Sequence, residues 1–469
     1  MTDHETAPRP EPRPEPESGP GTGPRPESGS GSGPRPEPGP WPRLDPGTPS
    51  AVGALASWRV RGERTLSRAL TQVTTRALGP YQTAIVRIGF SATWLFFLLR
   101  EWTHRSELYG PDGPWSWGLA DRLIDSNHAF TVLMWSDGEG WFQFVYLLAL
   151  ASSLALLLGW HTRTASVLFM VGVLSLQNRS VFMGDGGDNV IHLMALYLVL
   201  TRCGQVWSLD ARRAARAPGK SSTAGTVLWI VLGVTLATCT LTAGFSLGWG
   251  LFFWGLWIAY GLWGAVERAA AGEGAGRGLR ETRTVLDMFA NLAHNGALLV
   301  IMVEVCLIYS TAGWFKIQGS RWQDGTAVYY PMHLDYFAPW PELNEVLAGS
   351  GVMIFLITYG TVFVQVAFPF TLFNRRAKNV LLALMIIEHL SIAVLLGLPF
   401  FSMAMIAADA VFLPTVFLVW AGRRAAAVAR GAVPRRPGGR GAPEGAAGEG
   451  APAPEPAEGA ASTVPAARH

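Results

Sequence analysis

Lys316 stands apart from the other cations of this chain. There are 37 basic residues, and only three of them are lysines: Lys220, Lys316 and Lys378. Lys220 and Lys378 sit in arginine-rich loops, whereas Lys316 closes a long apolar run between Trp314 and Trp322. Two chemistries suit such a residue. An ammonium at the end of an apolar helix can snorkel to headgroups between tryptophan anchors. A lysine in an apolar pocket gives up its charge more readily, and the neutral amine is a usable base.

Four more ionisable side chains lie deep inside apolar runs: Glu304, Glu388, His389 and Asp409. Such groups cost several kcal/mol in hydrocarbon unless paired or hydrated, and they often mark ion or substrate routes. They read either as a proton or substrate site, or as a hydrogen-bonded network that fixes helix packing with a carboxyl kept neutral. Glu388 and Asp409 flank the turn at Pro399 and are expected to share a depth. The stretch Phe-Met-Gly-Asp-Gly-Gly-Asp-Asn at residues 182–189 places Asp185 and Asp188 around paired glycines. It reads as a tight turn capped by Asp188 or Asn189, or as an acidic loop facing a cavity near Lys316. Arg87, inside an apolar run, is expected to snorkel to the near interface. His192 reads as a satisfied core histidine. No His, Asp and Cys set has metal spacing, and Cys203, Cys239 and Cys306 have no C-x-x-C pattern, so neither zinc nor a disulfide framework is indicated.

The elements that must carry these residues are membrane helices. The 469 residues are 49% hydrophobic and 15% charged, against about 25% charged in an average globular chain. Ten apolar segments are predicted, at about 81–99, 140–159, 162–178, 188–203, 225–243, 247–265, 293–315, 351–373, 379–397 and 400–421. Most approach the ~20 residues that cross a bilayer. The fourth is short. Residues 118–134 mix apolar and charged positions, as an interfacial amphipathic helix does. The fold class is therefore all-α, a polytopic membrane domain over residues 56–423. Residues 1–55, rich in Pro, Glu, Arg and Gly, and residues 424–469, rich in Ala, Pro and Gly, are too polar and biased to build a core. They read as disordered arms. The first has no apolar h-region, so it is not a signal peptide. Basic residues form no stripe, which excludes nucleic-acid binding.

Charge sets the orientation. Arginine and lysine cluster at residues 59–76, 202–220, 268–283, 375–378 and 423–424, and the alternate loops lean acidic. With ten spans every basic cluster falls on one side, so both termini are cytoplasmic in the plasma membrane. Lys316 then lies at the outer end of the seventh span, where this bias asks for no cation.

Three stretches carry a resemblance. Tyr309–Tyr330, Gly184–Leu200 and Gln205–Ala211 resemble bacterial members of the horizontally transferred transmembrane (HTTM) family, the membrane domain shared with vitamin K-dependent gamma-glutamyl carboxylase. The resemblance covers most of residues 75–421. In the carboxylases a lysine after an Ala-Gly pair, followed by a tryptophan and a glycine, is regarded as the base that deprotonates vitamin K hydroquinone. Ala312, Gly313, Lys316, Trp322 and Gly325 occupy that pattern, so the resemblance implies a base at Lys316. There are departures. The lysine-to-tryptophan spacing is one residue longer. Asp188 and Asn189 fall where the carboxylases have an Asn-His pair, although Trp207, Ser208, Leu209 and Asp210 follow as expected. The loops also leave no room for the large propeptide-binding domain, so gamma-carboxylation of a protein is not expected.

The function read from the sequence is an outward-facing cavity acting on a quinone-like or other lipophilic small molecule. Lys316 would be the base, and Asp185, Asp188, Asn189 and Trp322 would supply contacts. The partners are the bilayer and that molecule. One alternative is a proton-coupled carrier built on Glu304, Glu388, His389 and Asp409. Another is a non-catalytic immunity or assembly component. The arginine-heavy, Ala/Gly/Pro-rich usage points to a bacterium of high GC content.

Overall fold

The computed structural model describes residues 51–216, 223–242, 246–272, 274 and 276–432. The low-complexity arms at residues 1–50 and 433–469, and Lys220, lie outside the described residues. Helix reaches residue 51 at one end and 432 at the other, a few residues past both expected domain boundaries. The chain divides after Leu66, within the helix Ala51–Thr75, and the contacts described below belong to the unit from Ser67 onward.

Among the described residues every regular element is helical. The principal helices are α1 (Ala51–Thr75), α2 (Pro80–Arg100), α3 (Trp117–Asn127), α4 (Glu139–Leu158), α5 (Thr162–Arg179), α6 (Gly186–Leu200), α7 (Leu209–Arg216), α8 (Thr223–Thr242), α9 (Leu247–Ala270), α10 (Arg277–Gln318), α11 (Gly351–Ala367), α12 (Arg375–Leu395), α13 (Pro399–Asp409) and α14 (Thr415–Ala432). Seven of them, α2, α4 and α8 to α12, are long and apolar enough to cross a membrane. The other expected segments differ for physical reasons. Helix α5 has polar ends, Thr162-Arg163 and Gln177 to Arg179, and hides most of its residues inside the protein. Helix α6 has only 15 residues. The tenth segment is not one helix: Leu413 turns extended ahead of Pro414, which lacks an N–H and clashes with a preceding helical turn. The amphipathic segment is an α-helix only to Asn127, with a short 3-10 helix at Leu133–Trp135. His128 takes a left-handed conformation (φ 55°), and Phe130, Val132 and Leu133 then enter the core.

Helix α2 is the axis of the core, packed between α4 and α13, with Phe90, Trp94 and Leu98 buried. Small residues let the backbones approach, as they do in apolar surroundings where no water drives association. A Cβ added at Gly89 would sit 2.4 Å from the Cβ of Ala407, and one added at Gly172 would sit 2.9 Å from that of Ala149. Helix α10 holds 42 residues, about 63 Å at 1.5 Å per residue. It begins inside the basic loop that follows the sixth apolar segment and ends at Gln318, just past Lys316.

Arg87 corrects the sequence reading. Its side chain does not reach an interface: it is fully buried and donates to the carbonyls of Leu156, Leu157 and Trp207. It thus adds donors to the last carbonyls of α4, where the helix runs out of its own N–H groups; the Leu156 carbonyl also accepts from Gly159 N (3.1 Å). The neighbouring Trp-Ser-Leu-Asp stretch is structural as well. Asp210 accepts from the backbone N–H groups of His161 (3.0 Å) and Thr162 (2.7 Å) and from the Thr162 hydroxyl (2.9 Å), which caps α5.

Helices α8 and α9 form a hairpin clasped by two tryptophans. The rings of Trp229 and Trp257 stack at 4.2 Å, nearly parallel. The Trp229 indole N–H donates to the Trp257 carbonyl (3.1 Å), and the Trp257 indole N–H donates to the Trp229 carbonyl (2.9 Å). Each ring lies over a glycine one turn further along the other helix, Gly261 under Trp229 and Gly233 under Trp257.

Candidate functional site

Three helices converge on Lys316. The last turn of α10 carries it, α11 supplies Gln365 and α12 supplies Glu388. The Lys316 ammonium donates to Gln365 Oε1 (2.9 Å), and Gln365 Nε2 donates to Glu388 Oε1 (2.6 Å). The amide is therefore oriented from both ends. The Trp322 ring lies 5.2 Å from Lys316 Nζ, within cation–π range. Trp322 is carried by the short helix Ser320–Gln323. The turn behind it is closed by Asp324, which accepts from the Thr326 backbone N–H (3.0 Å) and the Thr326 hydroxyl and pairs with Arg321. The hydroxyl of Thr326 is the main influence holding the Asp324 carboxyl below its usual range. Close packing joins α10 and α11 just beneath the site, where a Cβ at Gly313 would come within 2.5 Å of Val366. The ammonium thus turns onto Gln365. Trp314 is exposed on the outside, and Trp322 touches the amine.

One residue beyond Glu388, His389 turns into the protein. Its Nε2 lies 2.9 Å from the Tyr309 hydroxyl, and both residues are almost fully buried. Asp409, at the end of α13, is fully buried, and neither carboxylate oxygen has a hydrogen-bond partner. Tyr309 and Glu388 are the groups that act on it. Helices α12 and α13 form the antiparallel hairpin expected around Pro399. Of the four ionisable residues read inside apolar runs, Glu388, His389 and Asp409 gather here. Glu304 does not join them: it is half-buried on α10, and its charge acts on Tyr197 of α6.

The acidic loop before α6 forms a separate cluster. Asp185, rather than Asp188 or Asn189, is the cap. Its Oδ1 accepts from Gly187 N (2.6 Å) and Asp188 N (3.1 Å), and Asp188 answers by accepting from Asp185 N (2.9 Å). This reciprocal capping box satisfies the first donors of α6. The paired glycines serve close packing rather than a left-handed turn: a Cβ at Gly187 would lie 2.8 Å from the Phe401 backbone. Asp188 and Asn189 line a small pocket of about 180 Å³ with Tyr109, Gln177, Asn178 and His192. Gln177 ties it together, donating to the Asp188 carbonyl (3.0 Å) and pairing with His192 Nδ1 (3.0 Å). Lys316 is not among the residues lining this pocket. Phe401 touches both clusters: its backbone lies under Gly187, and its ring is 5.7 Å from that of His389. The cavity contacts expected from sequence are therefore distributed. Trp322 accompanies Lys316, Asp188 and Asn189 line another pocket, and Asp185 is spent on capping.

Two residues of the site were missed in the sequence, Gln365 and Tyr309. Gln365 carried a usable signal, as the lone amide in the apolar run Val362–Phe370. Tyr309 carried none, because an aromatic residue near the end of an apolar helix is ordinary. Among the described residues no group of three His, Cys, Asp or Glu side chains is placed to hold a metal ion. Compared with known protein families, curated proteins and solved structures, the chain matches none.

Proposed function

We propose that this chain is a multi-pass plasma-membrane protein in which Lys316 is a base toward a quinone-like or other lipophilic small molecule. The Lys316–Gln365–Glu388 chain carries the reading. A lysine serving only as an anchor would extend into the headgroups. This one is turned onto an amide, which is itself held by a carboxylate. A proton taken from a substrate hydroxyl by the neutral amine leaves an oxyanion on the substrate and an ammonium on Lys316. Gln365 Oε1 then accepts from that ammonium, and Glu388 faces it one side chain away. Trp322 beside the amine offers a flat apolar wall to a ring-shaped substrate.

In the same proposal the chain crosses the bilayer ten times with both termini cytoplasmic. Helices α5 and α6 and the broken pair α13 and α14 complete the seven long helices, and α3 lies at the interface. The alternation of basic and acidic loops supports this topology. The resemblance of Tyr309–Tyr330 to the HTTM family belongs to the proposal too. Protein carboxylation does not.

The test uses the full chain in lipid nanodiscs with duroquinol as probe. Dioxygen oxidises the hydroquinone monoanion faster than the neutral hydroquinone, so a base shows as faster appearance of the quinone absorbance. The wild-type protein is expected to accelerate it. Lys316→Met and Lys316→Arg should both lose most of that acceleration, since a general base contributes about 10²–10⁴-fold and arginine does not deprotonate. A Lys316→Arg protein as active as wild type would return Lys316 to an anchoring role.

A further inference from the structure

Asp409 is the least accommodated group in the protein. It is fully buried with both carboxylate oxygens unpartnered. It is the last residue of α13, and the chain continues from it into a short 3-10 helix at Ala410–Phe412. An anion gains nothing there. Burying an unpaired charge is costly enough that the group takes up a neutralising partner instead. The cations nearby are already engaged: Lys378 donates to the Phe412 carbonyl (2.6 Å) at the break after α13, and Lys316 donates to Gln365.

Hydrogen-bond accounting at Tyr309 gives the partner. Its hydroxyl has one proton and lies 2.9 Å from His389 Nε2, while His389 Nδ1 has no partner. Asp409 is near enough to act on the same hydroxyl. We infer that Asp409, Tyr309 and His389 form a buried site that holds one exchangeable proton. In one state the Asp409 carboxyl carries it and His389 is neutral. In the other, Asp409 gives its proton to the Tyr309 oxygen while the Tyr309 O–H gives its own to His389 Nε2. Two O–H bonds break, one O–H and one N–H bond form, and a carboxylate and an imidazolium result. The charged and titratable groups that act on the triad are Glu388 of α12 on Asp409 and Tyr309, and Lys316 of α10 on His389. The inference does not rest on the role proposed for Lys316. A proton-coupled carrier, the alternative read from the sequence, would need such a site.

The experiment is a pH titration of the full chain in lipid nanodiscs by infrared spectroscopy, following the C=O band of a protonated carboxyl shielded from solvent. The band is expected in the wild-type protein and should vanish in Asp409→Asn, which keeps the side-chain shape. Tyr309→Phe removes the relay and His389→Gln removes the alternative acceptor. Each should keep the band but move its midpoint by about one unit or more, a tenfold change in proton affinity. If Asp409→Asn does not assemble, these two variants carry the test. Lys316→Met should retain the band while losing duroquinol oxidation, which separates this site from the base. A band that survives Asp409→Asn, midpoints unchanged in both partner variants, or loss of the band on adding sodium at fixed pH would each overturn the inference. The last outcome would make this a metal-cation site.

Discussion

Arg87 and Lys316 are both cations inside apolar runs, and their fates are decided by what lies within reach. Arg87 is a planar fork placed below the open carbonyls of α4, so it spends its donors there. Lys316 is a single donor point at the end of α10 and finds one amide oxygen. Replacing Arg87 with Met keeps the length but removes the donors, leaving the Leu157 and Trp207 carbonyls without this partner, while the Leu156 carbonyl keeps the Gly159 N–H. Each carbonyl left buried and unsatisfied costs about 1–3 kcal/mol. Arg87→Met is therefore expected to lower the thermal unfolding midpoint in detergent by many degrees, and Arg87→Lys to recover part of it. A midpoint unchanged in Arg87→Met would show that water reaches these carbonyls. The sequence displayed both charges and their depth. It did not display that Arg87 faces a helix end, because that end lies about 70 residues away in the chain.

At the scale of elements, the α8–α9 hairpin shows a helix pair locked by ring stacking and reciprocal hydrogen bonds. Van der Waals packing and interhelical hydrogen bonds do the holding in an apolar medium. The reciprocal indole bonds need each ring to lie flat on a glycine. Gly233→Val would drive methyl groups into the Trp257 ring, already 2.5 Å from a bare Cβ. Overpacking of this kind costs typically about 1–3 kcal/mol. The hairpin is expected to loosen, seen as faster protease cleavage in the loop between Thr242 and Leu247, while duroquinol oxidation at Lys316 stays unchanged. The spacing Trp-x-x-x-Gly, at Trp229/Gly233 and again at Trp257/Gly261, was visible in the sequence. Its meaning was not, since tryptophans in apolar segments read first as interface anchors. The break at Pro414 was open to reading, since proline cannot continue a helix, yet the apolar run across it masked the end. Capping residues were less legible, because Asp185, Asp188 and Asn189 were all competent and the register of α6 chose Asp185.

For the molecule as a whole, acid stability hangs partly on the corner between α4 and α5. Burial holds the His161 ring below the ordinary imidazole range, with Asp210 opposing and Arg213 adding to the effect. The unfolded chain takes up a proton near pH 6.5 that the folded corner resists. Stability is therefore fully present above about pH 6.5 and is lost as the pH falls below it. His161 sits in a left-handed conformation (φ 45°), which asparagine also tolerates. His161→Asn is expected to narrow the difference between unfolding midpoints measured at about pH 7.5 and about pH 5.5, on either side of that titration. An unchanged difference would place the acid sensitivity elsewhere.

The sequence by itself determined the helical class, most of the apolar segments, and the identity of the groups out of place in them. It could do so because apolar length and isolated charge are properties of single runs of chain. It also picked out Lys316 by type and position. Only the tertiary structure decided which of those groups meet. Lys316, Gln365 and Glu388 come from three helices, and Tyr309, His389 and Asp409 also come from three. Their pairing depends on the rotation and depth at which those helices pack. Glycine-thin contacts at Gly89, Gly187 and Gly313 bring the backbones together there, and no periodicity within one helix records them.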